Sequence, residues 1–212
     1  MTFDSRDDAG RKLAAHLQEQ NLEADLVLGL PRGGVVVAAA VARLMHLPLD
    51  VIVVRKIGHP RHREFAVGAL AEADVVVLDT QAIERSGVVR DELETVIAEE
   101  KERLREYQLK FERDRPDFDG KEILIVDDGL ATGATMEAAV LSGKKRMARK
   151  VLVAVPVASD NAFGRIQRVS DGAHALLVDP DFEAVGSYYH RFSQTTDEEV
   201  LDLLSASRGG WS

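Results

Sequence analysis

The residues best placed for chemistry in this sequence are two adjacent carboxylates, Asp127 and Asp128, which follow a short apolar run directly. The stretch from Ile123 to Met136 reads Ile-Leu-Ile-Val-Asp-Asp-Gly-Leu-Ala-Thr-Gly-Ala-Thr-Met. It predicts a buried strand, a turn rich in small residues and threonine, and then a helix. The free N–H groups and the dipole of a helix start favour an anion by about 0.3–1 kcal/mol. The turn is therefore a candidate phosphate site.

Two carboxylates beside a phosphate site need an explanation, because acidic side chains repel an anion and are costly to desolvate without a partner. A ligand that carries hydroxyl groups or a divalent metal next to its phosphate removes the conflict. A ribose 5-phosphate fits, with its hydroxyls toward the carboxylates and its phosphate toward the turn. The structural alternative is an acidic strand end followed by a capped helix; the combination of acids and turn favours the ligand site. The sequence contains no Walker loop.

Two further segments place cations after predicted strands. Leu28-Gly-Leu-Pro-Arg-Gly-Gly34 predicts a strand, a turn and a helix start, where Arg32 and the N–H groups of Gly33 and Gly34 would form a second anion site. A tight turn without a ligand is the alternative. Arg55 and Lys56 follow the second strand; they could neutralise an anion or belong to a solvated loop.

Short apolar runs alternate with helix-like segments along most of the chain. The runs are continuous and rich in β-branched residues, which is typical of parallel strands covered on both faces. They begin at Leu26, Val51, Val75, Ile123, Val151 and Ala175. Helices are predicted at about Ser5–Gln20, Gly33–Met45, Val89–Arg113, after Thr132, and at Asp197–Ala206. This order predicts an α/β fold with an open, doubly wound, mainly parallel sheet.

Two segments interrupt this alternation. Arg55 to Ala69 is polar, contains Gly and Pro, and is too long for a plain turn, so we expect a loop. Pro180 to Thr196 contains Phe182, Tyr188 and Tyr189, which indicate a small packed flap. These aromatic residues could line a hood over a ligand, although such residues more often belong to a core.

The composition excludes several functions. Lys and Arg number 27 against 36 for Asp and Glu, a net charge of −9, which argues against a nucleic-acid or acidic-membrane partner. The absence of cysteine excludes disulfides, thiolate zinc sites and cysteine nucleophiles. The charged N-terminus lacks the apolar run of a signal peptide, and the longest apolar stretch, Val35 to Ala42, is too short for a membrane span. We therefore expect a soluble, cytoplasmic protein of one main domain.

The segment Val126-Asp-Asp-Gly-Leu-Ala-Thr-Gly-Ala-Thr135 resembles the phosphoribosyl pyrophosphate (PRPP) motif of the type I phosphoribosyltransferases. The resemblance implies that the two acids bind the ribose hydroxyls and that the following turn binds the 5-phosphate. The residues implied in PRPP binding are Asp127, Asp128, Gly129, Ala131, Thr132, Gly133, Ala134 and Thr135.

The family's pyrophosphate loop follows its first core strand, where this chain has Arg32 and Gly33. Arg55-Lys56-Ile-Gly-His-Pro60 is similar to a segment of adenine phosphoribosyltransferases that precedes a mobile loop. Glu64 to Ala69 and Tyr188 to Val200 resemble a bacterial subfamily of phosphoribosyltransferase-domain proteins. Together these likenesses cover nearly the whole chain.

The resemblance implies transfer of the phosphoribosyl group of PRPP to a small nitrogenous acceptor, such as a nucleobase in nucleotide metabolism, with release of pyrophosphate. Arg32, Arg55, Lys56 and Asp128 are the predicted catalytic residues, and Mg²⁺ is the predicted cofactor, reached by Asp127 and Asp128 through ligand or water. The predicted units are a core at 1–179, with a mobile loop at about 57–68, and a C-terminal flap, helix and tail at 180–212. A homo-oligomer, such as a dimer, is expected.

Three functions remain open from the sequence. The first is this transferase, and the second is a noncatalytic PRPP or nucleotide sensor on the same fold. The third is a protein that binds another phosphorylated metabolite. In family members that act on 6-oxopurines an acid precedes the Thr-Gly of the motif, whereas this chain has Ala131 there, so the acceptor is not identified.

Overall fold

A computed structural model describes residues 1–111 and 117–210. Its central sheet contains five parallel strands in the order β2-β1-β6-β7-β8. These strands are Leu26–Gly29 (β1), Leu49–Val51 (β2), Glu122–Val126 (β6), Lys150–Ser159 (β7) and Gly172–Asp179 (β8). β1 is buried along its whole length, and β6 and β7 nearly so, which explains why their sequences are continuous apolar runs. The predicted α/β class with a mainly parallel sheet is confirmed.

A second sheet of three antiparallel strands, in the order β3-β4-β5, stands apart from the first. The strands are Val54–His59 (β3), His62–Ala71 (β4) and Val75–Leu78 (β5). Two sequence-based expectations were wrong here. The segment Arg55–Ala69 forms most of a β-hairpin instead of a loop, and Val75–Leu78 does not join the parallel sheet. Strand β3 pairs with β4, and β4 pairs with β5, each through a short turn. Apolar content alone does not predict this pairing.

Seven α-helices are present in the described ranges. They are Arg6–Glu19 (α1), Gly33–Met45 (α2), Thr80–Ser86 (α3), Arg90–Phe111 (α4), Ala134–Lys145 (α5), Asp160–Val169 (α6) and Asp197–Arg208 (α7). All five predicted helices are confirmed, while the predicted end of α4 at Arg113 lies outside the described residues. Side chains cap several of them: Ser5 accepts a hydrogen bond from Asp8 N, and Thr196 forms a capping box with Glu199.

The segment between β8 and α7 is a packed flap. It contains one turn of 3₁₀ helix, Val185–Tyr188, and it binds the start of the chain. Phe3 N donates to Tyr188 O at 2.8 Å, His190 N donates to Phe3 O at 2.9 Å, and the rings of Phe3 and Tyr189 lie 5.5 Å apart. The N-terminus and the flap therefore form one packed unit. In the described part of the chain, no helix has the length and apolar character needed to cross a membrane.

Candidate active site

The two predicted anion sites lie side by side, because β1 and β6 are neighbouring parallel strands whose carboxyl ends meet at Gly29 and Val126. Glycines allow the two turns to touch. A Cβ on Gly33 would collide with Asp128 Oδ2, and one on Gly34 would lie 2.5 Å from Asp127 Oδ1. The turn after β1 therefore packs directly against the two carboxylates, and only glycine fits this contact.

The two carboxylates are partly buried and affect each other. Asp128 N donates to Asp127 Oδ1 at 2.9 Å. Desolvation raises the pKa of Asp127 well above its usual range, and the adjacent charge of Asp128 raises it further. Desolvation also raises the pKa of Asp128, although its bond with Arg6 opposes this rise. The negative charges of the two carboxylates are therefore unfavourable in this environment.

Arg6, at the start of α1, is a site residue that no sequence motif indicated. Its Nε donates to Asp128 Oδ2 at 2.7 Å, and both side chains are nearly buried, at 11% and 15% exposed. Its Nη1 donates to Ser193 O at 2.6 Å, and its guanidinium lies 3.8 Å from the ring centre of Phe192. Tyr189 adds a hydrogen bond from its hydroxyl to Asp128 O at 2.7 Å. The packed unit of N-terminus and flap thus holds the acid pair in place.

The predicted phosphate turn lies between β6 and α5. Gly133 caps α5 with a left-handed φ of 76°, which suits glycine. Ser159 anchors the turn to β7, because its hydroxyl donates to Ala131 O at 2.8 Å and its N–H donates to Leu130 O at 2.9 Å. The turn is therefore fixed by the central sheet.

A cavity of about 320 Å³, here called the inner cavity, is formed by this turn and the acid pair. Of the predicted ribose and phosphate residues, all but Ala134 line it: Asp127, Asp128, Gly129, Ala131, Thr132, Gly133 and Thr135. Ala134 is the first residue of α5 behind the turn. Val185 of the flap closes one side, where a Cβ on Gly129 would lie 2.8 Å from Val185 Cγ1. The structure thus brings together the residues that the sequence assigned to one ligand.

A larger cavity of about 760 Å³, here called the outer cavity, adjoins the inner one; both are lined by Pro31, Val54 and Lys56. The three predicted cations, Arg32, Arg55 and Lys56, all line the outer cavity. Gly33 does not line it and lies beside Asp128. The peptide bond between Pro31 and Arg32 is cis. The three predicted cations therefore line a cavity that adjoins the one containing the carboxylates.

Other residues of the outer cavity were missed, because charged positions on a long helix are typical of a solvent-exposed face. Glu100, Arg103, Tyr107 and Lys110 of α4 line it together with Asp197 of α7. Burial and a hydrogen bond to Asp197 raise the pKa of Tyr107, so its hydroxyl stays protonated. Helical spacing could have shown that these α4 residues share one face, but not which element that face meets.

The hairpin of β3 and β4 is held against α4. Arg61 pairs with Glu92 at 2.9 Å, Arg63 pairs with Glu99 at 2.8 Å, and Arg55 pairs with Glu100 at 2.6 Å. Whether residues 57–68 move, as the sequence suggests, stays a prediction.

The histidines of this hairpin do not form a metal site. His59 is buried, and its Nδ1 accepts a hydrogen bond from Arg61 N at 3.0 Å. Among the described residues, no group of three or more His, Cys, Asp or Glu side chains could hold a metal ion. Any Mg²⁺ at Asp127 and Asp128 would take its remaining ligands from water and phosphate oxygen atoms, as Mg²⁺ usually does in proteins.

The flap aromatics are packed instead of facing a ligand. Tyr189 lies between Phe3 and Phe192, while Phe182 stacks on Tyr188 at 5.3 Å. Phe182, Tyr188 and Tyr189 line neither the inner nor the outer cavity. A hood role for these rings is therefore not supported.

With this geometry established, comparison with known proteins identifies the family. The sequence matches the profile of the phosphoribosyl transferase domain over residues 4–168. The chain belongs to this family, and the resemblance drawn from the PRPP motif is confirmed.

Individual relatives agree with this assignment. A Mycobacterium tuberculosis protein named as a phosphoribosyl transferase is 42% identical over 207 residues, covering 95% of this chain and 46% of that protein. The chain thus spans about half the length of the curated relatives it matches. TT1426 from Thermus thermophilus has a similar crystal structure, with a TM-score of 0.79 and 43% identity over 96% of this chain and 98% of that one.

A more distant structure shares the fold. The purine phosphoribosyltransferase from Pyrococcus horikoshii has a TM-score of 0.50 and 18% identity, covering 92% of this chain and 97% of that one. The type I phosphoribosyltransferase fold is therefore confirmed.

Proposed function

We propose that this chain transfers the 5-phosphoribosyl group of PRPP to a small nitrogenous acceptor and releases pyrophosphate. The observation that carries this proposal is the junction of the two cavities. The acid pair lies in the inner cavity and the three cations in the outer one, and Lys56 lines both. PRPP has the same order of groups: a phosphate, a hydroxylated ring and a pyrophosphate.

The inner cavity holds the phosphoribosyl group. The ribose hydroxyls donate to Asp127 and Asp128, which stabilises the charged form of these strained carboxylates. The turn from Ala131 to Thr135 supplies N–H and hydroxyl donors to the 5-phosphate at the start of α5. Arg6 keeps Asp128 oriented and partly neutralised, so the ribose meets a fixed acceptor. This geometry positions the anomeric carbon at the junction of the cavities.

The outer cavity stabilises the leaving group. As the bond from the anomeric carbon to pyrophosphate breaks, positive charge develops on the sugar and negative charge on pyrophosphate. Arg32, Arg55 and Lys56 lie where that negative charge forms, and fixed charges in a partly desolvated cleft lower the barrier. Mg²⁺, when bound with PRPP near Asp127 and Asp128, would neutralise further phosphate charge. Closure of the hairpin would exclude water.

The test is a pyrophosphate-release assay with PRPP and a panel of nucleobases and other nitrogenous acceptors. We expect one acceptor to release pyrophosphate, and Arg32→Ala to abolish the release. Arg105→Ala, which removes an exposed cation from α4 outside both cavities, should not change it. An Arg32→Ala protein that is as active as wild type would contradict the assigned role of the cation.

A noncatalytic PRPP sensor is the second candidate, and one observation favours it. In the described chain, the flap contributes only Val185 to the two cavities, and the aromatic residues expected over an acceptor are packed elsewhere. PRPP binding without pyrophosphate release for any acceptor would support the sensor. The cytoplasmic location and the homo-oligomer stay predictions.

A further inference from the structure

The outer cavity is larger than the pyrophosphate leaving group needs. The inner cavity, assigned to the whole phosphoribosyl group, measures about 320 Å³, whereas the outer cavity measures about 760 Å³. A pyrophosphate group is smaller than a phosphoribosyl group, so it leaves much of the outer cavity free. Cavities of this size commonly hold ligands as large as a nucleotide.

The free part of the outer cavity lies toward α4. Two cations define the pyrophosphate end of the outer cavity. Lys56 also lines the inner cavity, and Arg32 precedes Gly33, which lies against Asp128. Arg103 and Lys110 line the outer cavity only. These two α4 cations are therefore not part of the inner cavity.

The lining carries excess positive charge in a chain whose net charge is −9. The acids are Glu100 and Asp197, and the cations are Arg32, Arg55, Lys56, Arg63, Arg103 and Lys110. Six cations and two acids line the cavity, and Arg63 is paired with Glu99 outside the lining, so three positive charges are in excess. Pyrophosphate alone would not contact all six.

The two acids link the predicted pyrophosphate cations to the cations of α4. Glu100 binds Arg55 and Arg103, each at 2.6 Å. Asp197 binds Lys110 at 2.9 Å and faces Arg32 at 3.8 Å. Each acid therefore fixes one cation of the pyrophosphate end and one cation of α4. The outer cavity thus contains two ion-paired chains, Arg55–Glu100–Arg103 and Arg32–Asp197–Lys110.

We propose that Arg103 and Lys110 form a second anion subsite, continuous with the pyrophosphate subsite, and that the outer cavity binds a chain of three or more phosphates. The ligand class is a polyphosphate, either inorganic or the triphosphate of a nucleotide. The proposal rests on the proposed function and deepens it, because the adjoining cations Arg32, Arg55 and Lys56 form the leaving-group subsite. A bound polyphosphate would fill that subsite and compete with PRPP.

The experiment compares the affinities of inorganic pyrophosphate and tripolyphosphate by calorimetry, at fixed ionic strength and without metal. We expect tripolyphosphate to bind about tenfold more tightly, because half-exposed ion pairs each contribute a few-fold in affinity. The double variant Arg103→Ala/Lys110→Ala should lose most of this preference and keep its pyrophosphate affinity. Arg103→Lys should retain it, and the matched control Arg105→Ala on the same helix should bind both ligands as wild type does.

Three results would overturn the subsite. These are equal affinities for the two ligands in the wild type, a double variant that keeps the preference, or an equal loss in Arg105→Ala, which would indicate nonspecific attraction. A thermal melt of each variant confirms folding. If ATP binds as tightly as tripolyphosphate, a nucleotide is the ligand; if only tripolyphosphate binds, an inorganic polyphosphate is.

The same titrations separate this proposal from the proposed function. A protein that binds no PRPP but loses its tripolyphosphate preference in the double variant would retain the subsite and refute the transferase. A protein that turns over PRPP but binds tripolyphosphate no more tightly than pyrophosphate would retain the transferase and refute the subsite.

Discussion

Asp127→Asn should make the free protein more stable while it destroys PRPP binding. In the folded state this carboxylate is desolvated and lies next to Asp128, so its negative charge costs free energy. Asparagine removes the charge, and its side-chain oxygen can still accept the hydrogen bond from Asp128 N. We expect the free energy of unfolding at pH 7.5 to rise by about 1 kcal/mol, typical of relieving strain at a functional position. For a chain of this size that is a rise in melting temperature of about 2–4 °C.

The pH dependence of this gain follows from the direction of the pKa shift. Folding raises the pKa of Asp127 above its ordinary value of 3.8, so the folded protein binds the proton more tightly than the unfolded chain does. In the wild type, the contribution of Asp127 to the free energy of unfolding therefore falls as the pH rises from about 3.8 through the raised pKa. The advantage of Asp127→Asn should be largest at the alkaline end of the pH range and should shrink as the pH falls through that pKa.

The assay is thermal unfolding of both proteins between pH 4 and 8, with a PRPP titration at pH 7.5. The matched control is Asp74→Asn. Asp74 is exposed, and its hydrogen bond with Lys101 at 3.0 Å lowers its pKa, so this variant should gain no stability at neutral pH. An Asp127→Asn protein with no gain at pH 7.5, or with a gain that is independent of pH, would refute the electrostatic reasoning.

Three further substitutions test the rest of the site. Arg6→Gln should lower the free energy of unfolding by about 3 kcal/mol, because it leaves Asp128 without its partner, and Arg6→Lys should recover part of the loss; unchanged denaturant midpoints would contradict this. Gly34→Ala should cost about 1–3 kcal/mol and abolish PRPP binding, because its Cβ would lie 2.5 Å from Asp127 Oδ1; calorimetry showing wild-type affinity would oppose it. Arg32→Ala should reduce turnover more than ribose 5-phosphate affinity, and equal losses would place Arg32 in the other subsite.

The parts of the site that follow parallel strands were predictable from the sequence. β1 and β6 are continuous apolar runs, and in an open α/β sheet the ligand-binding turns follow the carboxyl ends of the strands. This rule places Arg32 near Asp127 and Asp128 without knowledge of the structure. The small residues of both turns then indicate close approach of backbone and ligand.

The missed residues reach the site through tertiary packing. Arg6 precedes Asp128 by 122 residues, and the packing of α1 and the flap against the rest of the fold brings it to the acid pair. Arg103 and Lys110 are charged positions on a long helix, a pattern that usually indicates a solvated face. β5 has the composition of a buried parallel strand, yet it pairs with β4, because a short turn brings these neighbours together. Such contacts depend on packing partners that periodicity does not specify.

The most direct test of the central claim is a calorimetric titration of PRPP into the wild-type chain and Asp128→Asn, each with and without Mg²⁺. We predict that PRPP binds the wild type, that Mg²⁺ tightens this binding, and that Asp128→Asn weakens it at least tenfold, because the variant loses a charge-assisted acceptor for a ribose hydroxyl. If the wild type binds no PRPP, or if Asp128→Asn binds it equally well, the assignment of the acid pair to the ribose is wrong.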